Sequence, residues 1–235
     1  MKKFSLLLII FTLISATLCG CNNDEEEEFL RQIAEYRAAK IATYEDENEK
    51  YADFQVDVAF IGDSLTDGYD VAAYYPDLLV SNRGIGGDTT FDLEGRLAVS
   101  LFDLQPKVVV MLIGVNNIGQ MFENYERILV SLGEHLPNTK IVLLSLTSMS
   151  GDWGKNNQLA AYNNVKIKLL AEKYSYEYVD LYSALLNLES GEIYPEYTTD
   201  GGHLTPLGYE VLTREITPVV KAQLALWQQE NSVEN

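Results

Sequence analysis

The sequence predicts an α/β domain on a parallel sheet of about five strands, with helices covering both faces. Short runs rich in β-branched and aromatic residues recur at 56–61, 78–82, 107–113, 140–146 and 176–181. Longer stretches with helical character lie between and after them, at 88–103, 119–135, 157–174 and 206–228. The links are short, and strand alternating with helix in that order builds a parallel sheet with two covered faces. A chain of 235 residues, 47% hydrophobic and 11% aromatic, has enough apolar surface for one such domain plus a leader.

The first strand, Val56-Asp57-Val58-Ala59-Phe60-Ile61, is a buried run cut off by Gly62. The second and third end in glycine-rich segments, Asn82 to Thr89 and Gly114 to Asn117. The last helix has a start signal in Thr205-Pro206, a cap followed by a residue preset for the first turn. Ahead of the first strand, Phe29 to about Tyr51 has helical spacing in Leu30, Ile33, Ala34 and Ile41. It predicts a helix on the domain's flank or between tether and domain.

Residues 1–20 are expected to be a leader. Met1-Lys2-Lys3 is a short positive region, and Phe4 to Leu18 is apolar but short for a bilayer span. Leu18-Cys19-Gly20-Cys21 resembles the bacterial lipobox, which implies lipidation of Cys21 and a mature chain starting there. That chain keeps no other cysteine, so no disulfide, thiol nucleophile or cysteine metal site is expected. Residues 21–53 then form a lipid-anchored tether and helix, with Asn22 to Glu28 a solvated acidic spacer similar to some surface-export signals. The domain proper is expected over 54–230, at the cell envelope, facing the periplasm or the cell surface. The net charge of −18, two units more negative once Lys2 and Lys3 leave, disfavours nucleic acid and anionic lipid as partners.

Parallel strands deliver their following loops to one edge of the sheet, where open α/β sheets bind ligands. Gly62-Asp63-Ser64-Leu65 places a serine hydroxyl there. A serine needs a base to take its proton, and histidine suits that task, with an ordinary pKa of roughly 6.5. The chain has two histidines, His135 and His203. His135 sits at a helix end, where its charge suits the dipole. His203 lies in Asp200-Gly201-Gly202-His203, where Asp200 can fold back onto the imidazole and fix its tautomer. The N–H of Ser64, that of a glycine in the second loop, and the Asn116 amide are candidate donors to a developing oxyanion. Asn117 is expected to cap the following helix without a catalytic role.

Ser64 in Gly-Asp-Ser-Leu, a glycine of the second loop, Asn116 in Gly-x-Asn and Asp-x-x-His together resemble the four blocks of the SGNH, or GDSL, hydrolase superfamily. The matches run in order from residue 56 to about 220. The resemblance implies a three-layer α/β/α sandwich of flavodoxin-like strand order and a Ser-His-Asp triad of Ser64, His203 and Asp200. It carries the oxyanion glycine to Gly87 in preference to Gly86, and the asparagine to Asn116, beside the N–H of Ser64. It calls for no cofactor and no metal. Asn117 stands where many members carry aspartate, and Gly-x-Asn-Asn is similar to the branch that contains acetylhydrolases of the platelet-activating-factor type. The doubled Gly201-Gly202 stands where a bulkier residue often precedes the histidine.

The expected activity is a serine esterase working on short, acetyl-type esters through an acyl-enzyme, with an acylated small molecule or glycan as substrate. A lysophospholipase-type lipid esterase and a glycan O-acetyltransferase share the same site requirements, and a non-catalytic glycan-binding lipoprotein is the remaining rival. Tyr69, Tyr74, Tyr75, Trp153, Tyr194 and Tyr197 are candidate rim aromatics for stacking on sugar rings.

Overall fold

A computed structural model describes residues 23–232. The leader, Cys21 and the lipobox lie outside the described residues. The chain divides after Glu47 into two compact units. The first holds most of helix α1 (Asn23–Lys50), on which Arg31 pairs with Glu28 and Glu35 one turn away. Most of the acidic run expected as a spacer is therefore helical. Glutamate is a good helix former, and carboxylates near the positive end of a helix are favoured.

The second unit carries the α/β domain. In chain order it contains β1 (Val58–Gly62), α2 (Ser64–Asp67), α3 (Val71–Tyr74), β2 (Val80–Gly84), α4 (Thr90–Glu94), β3 (Val108–Leu112) and α5 (Phe122–His135). It continues with β4 (Lys140–Leu144), α6 (Gly151–Gly154), α7 (Asn157–Tyr174), β5 (Glu177–Val179), α8 (Leu181–Leu185), β6 (Leu186–Asn187), β7 (Glu192–Ile193) and α9 (Pro206–Asn231). The five main strands form one sheet in the order β2-β1-β3-β4-β5, every pair parallel. That is the flavodoxin order, and its chain reversal lies beside β1 and β3.

Two-residue alternation along the strands divides the core into two layers. Ala59, Ile61, Val109, Met111 and Leu143 face one side with Ile128, Leu132 and Ile167 from α5 and α7. Val58, Phe60, Val110, Leu112 and Leu144 face the other with Val211, Ile216 and Val220 from α9. The three-layer sandwich follows directly from that pattern.

The stretch expected as one helix over 88–103 is broken. α4 ends at Gly95, and the chain then makes a π-helical turn over Ala98–Phe102. Glycine is a poor helix former, and the break leaves Arg96 buried at the sheet edge. The β6–β7 hairpin was not legible, since two-residue strands have too few positions to show a period. α9 starts as the Thr205-Pro206 pair predicts, with Thr205 Oγ1 accepting from Gly208 N at 3.2 Å.

β1 and β3 approach so closely at Gly62 that a Cβ there would lie 2.0 Å from Leu112 O and 2.4 Å from Thr66 Oγ1. The backbone must move to admit even a methyl group. Gly62→Ala is expected to destabilise the domain by at least about 1–3 kcal/mol, the usual cost of overpacking. Denaturant unfolding of the purified variant checks this.

Candidate active site

Ser64 opens α2 straight after β1, and Asp63 caps it by accepting Leu65 N on Oδ1 at 3.1 Å. Asn82 of β2 braces this turn, donating from Nδ2 to Thr66 O at 2.7 Å and to Tyr69 O at 2.8 Å. From α9, Tyr209 donates to Leu65 O at 3.0 Å. The serine is thus held from β2 and from α9, and it is 4% exposed.

His203 arrives 139 residues later in sequence, its Nε2 lying 3.0 Å from Ser64 Oγ. Asp200 Oδ2 lies 2.7 Å from Nδ1 of the same ring. The other carboxylate oxygen, Oδ1, accepts Gly202 N at 2.9 Å and His203 N at 2.7 Å. Partial burial works against charge on Asp200. The hydrogen bonds from the His203 ring, His203 N and Gly202 N outweigh it and hold the carboxyl at about 2. An ionised Asp200 keeps a proton on Nδ1 and turns Nε2 toward the serine as an acceptor.

The second loop is a turn in which Asp88 N donates to Ile85 O at 3.2 Å, with Gly87 at φ +83°. Positive φ at the third turn position is glycine's province. Asn116 lies in a 3₁₀ turn over Val115–Asn117, entered through Gly114 at φ +128°. Its Nδ2 donates to Asp88 O at 3.0 Å, which leaves the second amide hydrogen for a ligand. Among the described residues no acceptor takes the backbone N–H of Ser64 or of Gly87. Asn117 ties the third loop to α4, accepting Thr90 N at 3.2 Å and donating to Thr90 Oγ1 at 2.8 Å.

Arg96 was not singled out by sequence reasoning. Its Nε donates to Asp88 Oδ2 at 2.6 Å, Nη1 to Arg83 O and Ser100 Oγ at 2.9 Å, and Nη2 to Gly62 O at 3.0 Å. The available signal was one arginine on a face that otherwise carries Leu93, Leu97, Leu101 and the small Ser100. The six candidate rim aromatics do not share one place. Tyr69 and Tyr75 are buried at 4% and 5%, packed on Phe60 in the α9-side core, and Tyr74 packs on Tyr69. Tyr69 also meets Thr213 Oγ1 at 2.6 Å. Tyr194 and Tyr197 stack edge to face on each other, and Trp153 stands edge-on to His203. His135 lies at the end of α5, with Nδ1 3.0 Å from Ser131 O and its ring stacked on Phe102. Among the described residues, no cluster of three or more His, Cys, Asp and Glu side chains is placed to hold a metal.

The profile of the GDSL-like lipase/acylhydrolase family matches residues 60–211, a span from β1 into α9. The chain belongs to this family. The chain is 35% identical over 103 residues to human platelet-activating factor acetylhydrolase IB subunit alpha2, a stretch covering 40% of the chain and 45% of that relative. The alignment therefore spans less than half of the relative's length. Three solved structures share the fold. One is a Streptococcus pneumonia protein provisionally described as a platelet activating factor, with a TM-score of 0.76, 24% identity, and coverage of 85% of this chain and 100% of that one. A GDSL-like lipase from Bacteroides thetaiotaomicron matches with a TM-score of 0.69, 22% identity and coverage of 77% and 97%. An acetylxylan esterase from Geobacillus stearothermophilus matches with a TM-score of 0.58, 21% identity and coverage of 72% and 95%.

Asp63 provides a pH test of the site. Burial pushes its carboxyl up to about 7, and nearby Asp88 adds to the rise against the pull of Leu65 N and His203. A raised folded-state pKa means the contribution to stability is full below the unfolded value of roughly 3.9 and is lost as pH rises through 7. Asp63→Asn keeps the cap acceptor without the buried charge. Its Tm at pH 8 is expected to exceed the parent's by at least about 2–4 °C, the change 1 kcal/mol makes in a chain of this size. The gap should close toward pH 4, as thermal unfolding across pH would show.

Proposed function

We propose that Ser64, His203 and Asp200 form the triad of a serine esterase that removes acetyl-sized acyl groups, with acetylated carbohydrate as the favoured substrate. The observation that carries it is the unbroken chain from Ser64 Oγ through both nitrogens of His203 to Asp200, at 3.0 and 2.7 Å. As Oγ bonds to the ester carbonyl carbon, its proton passes to Nε2, and Asp200 stabilises the resulting imidazolium. The carbonyl π electrons move onto oxygen, where Ser64 N–H, Gly87 N–H and the second amide hydrogen of Asn116 receive the charge. The tetrahedral adduct collapses as Nε2–H protonates the departing alcohol, leaving an acyl-serine. Water then repeats both steps and releases the acid.

The names of two similar proteins support the acetyl preference: one is an acetylhydrolase of platelet-activating factor, the other an acetylxylan esterase. They differ on the alcohol side, and the first favours a lipid ester as the second reading. The leader motif ending in Cys21 supports anchoring at the cell envelope, and an acidic chain suits a neutral glycan better than an anionic lipid surface.

Ser64→Ala and His203→Ala are each expected to lower kcat on p-nitrophenyl acetate by at least about 10³-fold with folding intact. Parent-like hydrolysis by either variant overturns the triad. Asn116→Ala is expected to cost about 10²–10³ in kcat with KM little changed. On the alcohol side, acetate release from acetylated xylan should exceed release from a short-acyl phospholipid, and a p-nitrophenyl ester series should fall off with acyl length. The opposite order favours the lipid reading. Cys21→Ser is expected to move the protein from the membrane fraction to the soluble one.

A further inference from the structure

Two consecutive glycines precede the histidine, and they serve different purposes. Gly201 is demanded by the backbone: its φ is +91°, and a Cβ would lie 2.3 Å from Ser150 O. Gly201 O in turn accepts Ser150 N at 2.9 Å. Gly202 is not among the residues with positive φ, so no left-handed conformation requires glycine there. Another group occupies the place of its side chain. A Cβ on Gly202 would lie 2.7 Å from Cε2 and Nε1 of Trp153 and 2.8 Å from Cδ1. The indole ring lies directly over this glycine.

The same indole stands edge-on to the imidazole of His203, with centroids 5.9 Å apart and planes at 88°. The segment that presents it is itself anchored. Asn157, at the start of α7, accepts Met149 N at 2.7 Å and donates to Met149 O at 2.6 Å, and Trp153 N donates to Ser150 O at 3.1 Å. Glycine pairs leave a loop with more conformational freedom than any other residues, and the outer torsion of a histidine is broad. Asp200 holds the ring at Nδ1 and Ser64 Oγ meets it at Nε2, and the indole of Trp153 adds a contact outside that hydrogen-bonded line.

We infer that Trp153 is a positioning residue of the acid–base loop, supplying from the β4–α7 connection the bulk that Gly202 lacks and aiming His203 at Ser64. Its part is to act through the imidazole that it stands against. The inference rests on His203 being the base of the proposed triad, and it explains why a doubled glycine is tolerated where a catalytic ring must be held still. The groups facing that ring are the Asp200 carboxylate from its own loop, the Ser64 hydroxyl and the Asp63 carboxylate from the β1–α2 turn.

The test combines kinetics with emission. Trp153→Ala is expected to lower kcat on p-nitrophenyl acetate about tenfold to a hundredfold, as misplacement of a catalytic group does, with KM within about twofold. Trp153→Phe, which keeps an aromatic ring over Gly202, should recover most of the rate, and it decides the matter if the alanine variant fails to fold. Gly202→Ala should cost a similar factor with Trp153 present and less than about twofold in the Trp153→Ala background, a coupling expected only of groups in contact. A loss confined to KM, an unchanged kcat, or additive effects in that cycle would overturn the assignment. The chain has two tryptophans, so Trp227→Phe leaves Trp153 as the sole indole emitter. Its emission should change on His203→Gln, which removes the imidazole that the indole stands against. Emission left unchanged by His203→Gln contradicts the contact. This readout needs no turnover, so it stands apart from the triad itself: parent-like hydrolysis by Ser64→Ala would sink the triad and leave the emission result intact.

Discussion

A buried guanidinium holds the first two loops of the site in register. Arg96 is 5% exposed, and it donates to the carbonyl ahead of the serine turn, to the end of β2 and to the carboxylate that follows the turn glycine. Taking such a charge out of water costs several kcal/mol unless hydrogen bonds and an opposite charge offset it. Here Asp88 supplies the opposite charge and backbone carbonyls supply the acceptors. Ser64 and Gly87 therefore do not hold their relative places by loop stiffness alone. Both are attached to one rigid fork, and a fork has a fixed geometry that an ammonium would not impose.

The sheet does the coarse placement. Parallel order sends the ends of β1, β2 and β3 to one edge, so three donors from three segments meet with no long-range instruction beyond strand pairing. The histidine loop comes from elsewhere, ahead of α9, and needs its own fastening. Asp200 provides part of it by accepting two backbone N–H groups besides the ring. The β4–α7 connection provides the rest through Ser150 and Trp153. Loop clustering at a sheet edge is thus followed by a second tier of polar and aromatic ties that act over shorter distances.

Much of this was legible because the relevant signals are local. Strand runs ended by glycine placed Ser64, the second-loop glycines and Asn116 on one edge, the family resemblance chose Gly87 among those glycines, and a three-residue spacing linked Asp200 to His203. What sequence could not show was contact at a distance. Tyr69 and Tyr75 look like rim aromatics beside a catalytic turn, yet they are core because α9 packs back over them from more than a hundred residues away. Arg96 reads as an ordinary polar position on a helix until Gly95 breaks that helix. The pairing of Gly202 with Trp153 joins loops that follow different strands, and neither residue carries a periodic pattern.

The bond from Asn116 to the carbonyl of Asp88 has a consequence for selectivity of charge. A side-chain amide has a hydrogen-bearing end and a lone-pair end, and in water it presents either with little preference. The peptide oxygen at Asp88 accepts only the hydrogen-bearing end, so the amide cannot turn over without setting two oxygens against each other. The hollow is therefore polarised in one sense before any ligand arrives. On the proposed chemistry it favours negative charge as it develops and repels a cation of the same size.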